Sequence, residues 1–169
     1  MANDSTYGHD IGRSTRADGG TTSNVRLSLL RAPRYPDPKT DQGQHTLRVS
    51  VRPGATIGDA VEEGYRINLP TRTVQGSAPV KPLVTVSNPA VVVESVKLSE
   101  DRRGDVVVRL YESRGGRAKA TVTADFPHSK IEFTDLLERP VDGPAEGGSE
   151  PEVRLDLRPF QLVTLRFRR

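Results

Sequence analysis

The fold is decided by residues 105–125, which read DVVVRLYESRGGRAKATVTAD. Two strand-like runs, 105–111 and 118–125, carry apolar side chains at every second position, so each run can bury one face. Between them lies Ser113-Arg114-Gly115-Gly116, which is typical of a tight turn because paired glycines tolerate positive φ. The stretch therefore predicts two antiparallel strands joined as a hairpin.

Further strand candidates flank this pair on both sides. They are regularly punctuated by turn residues and lie at 83–87, 91–98, 130–137, 153–157 and 160–168. Six or seven short strands in fewer than ninety residues are typical of an antiparallel β-sandwich. Residues 142–149 are polar and rich in glycine, which predicts a surface loop.

The chain changes character before residue 83. Residues 71–82, TRTVQGSAPVKP, lack any apolar period and contain two prolines and a glycine, which predicts a linker. The expected domains are therefore 1–72, a linker at 73–82, and a complete small sandwich at 83–169.

Residues 1–72 offer too little to form a sheet core of their own. They contain strand-like alternation at 25–29 and 47–51 and one short helical pattern at 57–63. Two strands alone leave open edges and an uncovered apolar face. We therefore expect an all-β protein in which the end of a large, incomplete β-sandwich domain is followed by a small antiparallel β-sandwich.

Composition narrows the function classes. The net charge is +3, but 25 Lys and Arg are interleaved with 22 Asp and Glu, and aromatics make up 5%. Without a basic stripe or stacking residues, nucleic-acid binding is disfavoured. The apolar runs are too short for a membrane span, there is no cysteine for a disulfide, and the first residues lack a signal-peptide pattern. A cytoplasmic protein is expected.

Several short segments follow one another in a recognisable order. They are 3–10 (NDSTYGHD), 25–33 (VRLSLLRAP), 36–38 (PDP), 41–45 (DQGQH), 88–97 (NPAVVVESVK), 108–112 (VRLYE), 115–118 (GGRA), 135–140 (DLLERP) and 157–165 (LRPFQLVTL). Together they resemble the late part of glycoside hydrolase family 38 α-mannosidases, most closely the cytosolic and bacterial branch. The likeness covers nearly the whole chain.

The resemblance implies an architecture and a role. Family 38 enzymes have an N-terminal β/α catalytic barrel, a helical bundle and C-terminal β-sandwich domains, and they hydrolyse α-mannosides with retention. Their carboxylate nucleophile and zinc ligands come from the barrel, which this chain does not contain. The chain is therefore expected to be an accessory region with no catalytic residue, metal ligand or cofactor of its own, and to act on α-mannosides only with the barrel and helical bundle as partners.

One segment is a candidate for contact with substrate. Asp4, Tyr7, His9 and Asp10 surround Gly8 in what the sequence predicts to be a loop before the first strand. The resemblance implies that this loop leans toward the substrate mouth of the barrel, and its carboxylates, phenol and imidazole suit sugar hydroxyls. The alternative is an inter-domain contact or a disordered terminus, since residues 12–23 lack pattern.

The remaining polar residues favour structural roles. His9, His45 and His128 are too scattered for a zinc site. Glu112, Asp135 and Glu138 are expected to accept turn amides or to pair with arginines, and Glu94 likewise shows no sign of forming a catalytic pair. Two other classes stay open: a stand-alone carbohydrate-binding module, although there is no Trp, and a structural domain that docks other subunits.

Overall fold

The computed structural model describes residues 1–143 and 152–169. Within these ranges the chain forms one helix, α1 (Ile57–Asn68), and eleven strands. The strands are β1 (Ala2–Asn3), β2 (His9–Thr15), β3 (Thr21–Leu27), β4 (Val49–Ser50), β5 (Val84–Val86), β6 (Val91–Leu98), β7 (Val106–Glu112), β8 (Ala118–Ala124), β9 (Lys130–Thr134), β10 (Glu152–Leu157) and β11 (Leu162–Arg168). The chain divides into two compact units, Met1–Thr73 and Val74–Arg169.

The second unit is a sandwich of two antiparallel sheets. A three-stranded sheet has the order β10-β8-β5, and a four-stranded sheet has the order β6-β7-β11-β9. One core lies between them, because every second residue of the main strands points inward. The largest fully buried apolar side chains of this core are Leu110, Leu157, Leu165 and Phe167. The all-β sandwich prediction is confirmed.

The predicted hairpin at residues 113–116 is wrong. β7 pairs with β6 and β11, whereas β8 pairs with β5 and β10, so the two strands belong to different sheets. The connection between them carries the chain from one layer of the sandwich to the other. Gly115 does adopt a positive φ of 74°, but a local turn signal cannot specify which sheet the next strand joins.

A short segment after β9 crosses the outer face of the four-stranded sheet. In this strap (residues 135–139) the carbonyl oxygen of Leu136 accepts a hydrogen bond from Arg109 of β7, at 2.9 Å. Glu138 reaches the far edge strand, where its carboxylate lies 2.5 Å from the Lys97 ammonium. On this face Val107 and Thr164, which point away from the core, are 0% and 2% exposed, so the outer face of the sheet is covered as well as the inner one. The predicted strand 130–137 accordingly ends at Thr134.

The sequence also predicted the start of the last strand of the second unit and a polar loop before β10. The last strand begins at Leu162 instead of residue 160, because Phe160 has a φ of +56° that interrupts an extended backbone. The predicted polar loop 142–149 lies, apart from its first two residues, outside the described residues.

The first unit is built from small pieces. β1 pairs with β4, and β2 pairs with β3 as a hairpin across residues 9–27. The predicted strands at 25–29 and 47–51 are therefore shifted or shortened, and the supposedly patternless residues 12–23 are largely hairpin. α1 runs to Asn68, five residues beyond the predicted 57–63, and starts with a capping box formed by Thr56 and Asp59.

The first unit buries little apolar surface. None of residues 1–73, all of which are described, belongs to the buried apolar core. Instead many of its large apolar side chains are exposed, among them Ile11, Val25, Leu29, Val51 and Ile57. Isolated exposed apolar residues are ordinary, but a unit without any buried apolar core lacks the main source of folding free energy.

Candidate functional site

Asp4, the first of the four predicted substrate-rim residues, is already engaged in structure. Its carboxylate accepts hydrogen bonds from the Arg48 backbone N–H at 3.0 Å and from Arg48 Nε at 2.8 Å. These bonds, chiefly the one from the side chain, lower the pKa of Asp4 to about 2. Asp4 therefore fastens the loop after β1 beside β4, because the same arginine directly precedes the pair Asn3–Val49.

The other three rim residues lie at the start of the hairpin. Tyr7 is 97% exposed, and His9 Nδ1 lies 3.3 Å from the Tyr7 carbonyl oxygen. Asp10 forms an ion pair with Arg26 on the paired strand. His9 and Asp10 are thus strand residues and not loop residues, which corrects the sequence prediction. Consecutive strand residues point to opposite faces, so the four side chains do not converge on one point.

The histidines and acids of the described residues do not converge on one point. Across residues 1–143 and 152–169, no group of three or more His, Asp or Glu side chains could hold a metal ion. Each imidazole instead has one ring nitrogen within about 3.3 Å of a backbone carbonyl oxygen, for His9 that of Tyr7, for His45 that of Asp41 and for His128 that of Phe126.

Glu112 is a buried clamp at one end of the sandwich. Its side chain is 1% exposed, and its two oxygens accept backbone N–H groups from Arg114 and Gly115, each at 2.8 Å, and from Phe160 at 3.0 Å. Burial alone would raise the pKa of Glu112, but these donors outweigh it and the pKa is lowered. The carboxylate joins the β7–β8 connection to the turn before β11.

Asp105 organises a second cluster at the other end of β7. It is 4% exposed and accepts from Arg166 Nε and Nη2 at 2.9 and 2.7 Å and from Arg168 Nη1 at 2.8 Å. Burial opposes ionisation of Asp105, yet the hydrogen bonds from the Arg169 amide and both guanidinium groups hold its pKa below the ordinary value. Arg166 also pairs with Asp101 at 2.5 Å. The cluster ties the start of β7 to the end of the chain.

The strap is held by its own acids. Asp135 accepts from the backbone N–H groups of Leu137 and Arg139, both at 2.9 Å, and from Arg139 Nε at 2.7 Å. Glu138 accepts from the Glu100 backbone N–H at 2.8 Å and pairs with Lys97. The prediction that these acids satisfy turn amides or pair with cations is confirmed, although the partner of Glu138 is a lysine on the opposite edge strand.

These clusters have the electrostatics of structural clamps. In the described part of the chain, every acid with a resolved shift has a lowered pKa. A glycosidase general acid needs the opposite, a pKa raised toward neutrality. The Asp105 cluster was not predicted from the sequence. The signal that could have found it is the alternation of Arg166 and Arg168 with apolar residues on a strand, since a buried arginine needs an acidic partner.

Comparison with known proteins identifies the sandwich. Residues 90–165, which run from just before β6 into β11, match the family described as glycosyl hydrolases family 38 C-terminal beta sandwich domain. The chain belongs to the C-terminal β-sandwich region of this family. The family 38 match contains Asp105, Glu112 and the whole strap, whereas Arg166 and Arg168, the arginine partners of Asp105, follow its last residue.

The matched relatives are α-mannosidases. Alpha-mannosidase 2C1 of Homo sapiens is 30% identical over 174 residues, which cover 98% of this chain and 16% of the relative. Alpha-mannosidase G of Dictyostelium discoideum is 28% identical over 85% of the chain, and an alpha-mannosidase of Saccharomyces cerevisiae is 27% identical over 84%. The chain spans about one sixth of the length of the human relative. No helix in the described ranges is long and apolar enough to cross a membrane.

Proposed function

We propose that this chain is the C-terminal accessory region of an α-mannosidase that hydrolyses α-mannosides with retention in glycan catabolism. The four relatives that match 83–98% of its length carry the name alpha-mannosidase, and the chain corresponds to only 14–16% of each. Its partners in this proposal are a zinc-containing catalytic barrel and a helical bundle. The cytoplasmic location expected from the resemblance belongs to the same proposal.

The observation that carries the accessory role is the contrast between the two units. The second unit encloses its own core, whereas residues 1–73 contribute nothing to the buried apolar set and expose side chains such as Ile11 and Val51. Burial of apolar surface contributes about 25 cal/mol of folding free energy per Å². The apolar side chains that the first unit leaves in water do not make this contribution. A first unit that completes a larger sheet domain of the parent enzyme would recover that free energy.

Deletion and assay of the isolated chain test the proposal. The 169-residue chain should not hydrolyse a chromogenic α-mannoside, with or without added zinc. Deleting the matched region from the human relative should abolish activity and reduce the amount of folded enzyme, because the region supports the fold of the whole. Zinc-dependent turnover by the chain alone, or full activity of the deleted relative, would contradict the proposal.

The rim residues form a separate part of the proposal, in which Asp4, Tyr7, His9 and Asp10 contribute hydrogen bonds at the edge of the substrate site. Tyr7 is the informative position, since its side chain is almost fully exposed and its loss should not disturb the fold. In an intact enzyme that contains this region, Tyr7→Phe should raise KM or lower kcat. Tyr35→Phe is the matched control, because Tyr35 is also a highly exposed phenol, at 88%. Equal kinetics for both variants would dismiss the rim role.

A further inference from the structure

The outer face of the three-stranded sheet carries a shallow basin. In β8 and β10 the residues Ala118, Ala120, Val153, Leu155 and Leu157 point into the core, so their neighbours along each strand point outward. The outward residues line a cavity of about 560 Å³, which lies within the range of roughly 300–1,000 Å³ typical of small-molecule sites. Its polar lining side chains are Ser87, Lys119, Thr121, Arg154 and Asp156.

The charged groups of this basin have no partners among the residues that the structure describes. Asp156 is the direct cross-strand neighbour of Lys119, and Arg154 that of Thr121. Nevertheless the three charged side chains, all exposed, form no ion pair or hydrogen bond with any residue in the described ranges. On the outer face of the four-stranded sheet, by contrast, Arg166 and Arg168 are held by carboxylates.

The floor of the basin is rigid and hydroxylated. The Ser87 hydroxyl oxygen accepts the Thr121 backbone N–H at 2.8 Å, and the Ser87 N–H donates to the Thr121 carbonyl oxygen at 3.0 Å. Ser87 Oγ therefore keeps its own hydrogen available for donation. Asn88 Nδ2 donates to the Lys119 carbonyl oxygen at 2.9 Å and fixes the adjacent end of the floor. These bonds hold the backbone of the floor and the Ser87 hydroxyl in place before any ligand arrives, which reduces the entropy lost on binding by this part of the site.

We propose that this basin binds a neutral sugar residue. Lys119 and Arg154 only donate hydrogen bonds, Asp156 only accepts them, and the two hydroxyls of the floor do both. A sugar hydroxyl is donor and acceptor at once, so adjacent hydroxyls of one ring can satisfy both kinds of group. A phosphate would face the carboxylate of Asp156, and a cation would face Lys119 and Arg154, so the mixed charge disfavours both. The choice of an α-mannoside as the ligand rests on the proposed function, whereas the site rests on the geometry.

The test is an NMR titration of the 15N-labelled chain with methyl α-D-mannoside. Saturable amide shifts should appear at the basin strands β8 and β10 and at Ser87, and not on the four-stranded sheet. Asp156→Ala and Lys119→Ala should each weaken the apparent affinity by about tenfold or more, as expected for a hydrogen bond to a charged group. Glu152→Ala is the matched control, since Glu152 lies on the same strand and the same outward face but outside the basin.

The outcomes separate this site from the proposed function. No saturable shift, shifts that map elsewhere, or equal affinity in Asp156→Ala and Glu152→Ala would overturn the site. Stronger binding of inorganic phosphate at the same amides would also overturn the sugar site, because the Asp156 carboxylate should repel an anion. Loss of activity on deletion from the human relative together with an empty titration would leave the accessory role standing and refute the sugar basin alone. Full activity of the deleted relative together with saturable binding in the basin would refute the accessory role and leave the sugar basin standing.

Discussion

Removal of the Asp105 carboxylate should strongly destabilise the second unit. Asp105→Ala leaves the guanidinium of Arg166, 4% exposed, with Asp101 as its remaining acid partner at 2.5 Å. Breaking a buried ion pair by removing one partner costs about 3–5 kcal/mol. Because one acid remains, we expect the lower end, about 3 kcal/mol of unfolding free energy near pH 7.

Hydrogen exchange measures this change within the sandwich and separates it from the first unit. Amides of the central strand β11, such as that of Leu165, should exchange through unfolding of the whole sandwich. A loss of about 3 kcal/mol accelerates their exchange roughly 150-fold, at about 1.36 kcal/mol per factor of ten. Asp156→Ala is the control, since this exposed acid has no partner in the described residues and should change stability by less than about 0.5 kcal/mol.

A double-mutant cycle shows whether the loss comes from an uncompensated charge. In an Arg166→Met background no buried guanidinium remains at that position, so Asp105→Ala should cost far less than in the original chain. The coupling free energy should be about 2 kcal/mol, within the range for residues in one ionic network. If Asp105→Ala accelerates exchange less than about fivefold, equivalent to about 1 kcal/mol, or if the cycle shows no coupling, the clamp interpretation is refuted.

Three further changes test other parts of the structure. In a urea titration, Gly115→Ala should destabilise the second unit by about 1–2 kcal/mol, because Gly115 has a φ of +74° and a left-handed backbone costs that much for other residues. The control Gly116→Ala should be nearly neutral in the same titration, because nothing lies within 4 Å of the added Cβ. Thr164→Val should be neutral or stabilising by thermal denaturation, since the buried Thr164 hydroxyl has no partner in the described structure, and a clear loss of stability would contradict this. Acidification should release the strap from Lys97 and the Glu100 amide, to which Glu138 ties it. The pKa of Glu138 lies below the ordinary 4.5, so its contribution is complete above pH 4.5 and falls as the pH drops through the lowered value. Strap amides whose exchange protection, corrected for intrinsic rates, does not decline below pH 4.5 would count against that role.

Local sequence features predicted most of the strands. The bounds of β6 agree with the predicted 91–98, and β7, β8 and β10 each lie within one residue of their predicted ends. These strands alternate cleanly, and alternation is a local property of the chain. The predicted helix, 57–63, was too short, since the helix continues to Asn68.

The candidate sites were predicted less completely. The acids Glu112 and Asp135 were recognised because the sequence places Glu112 at a glycine-containing turn and Asp135 near Arg139. The Asp105 cluster was missed, since Asp105 and Arg166 lie 61 positions apart and meet only when β7 pairs with β11. The prediction that His9 and Asp10 lie in a loop was wrong. Residues 9–15 form a strand because they pair with β3, and no pattern within these residues predicts that pairing.

By itself the sequence determined the fold class, the family resemblance and the accessory role to be tested, because these depend on alternation, composition and the order of short segments. Only the tertiary structure decided which strands share a sheet, that the outer face carrying Val107 and Thr164 is buried, and that Lys119, Arg154 and Asp156 meet in one basin. The physical reason is that sheet order, burial of an outer face and convergence of side chains depend on contacts between residues far apart in the chain. No window of neighbouring residues contains that information.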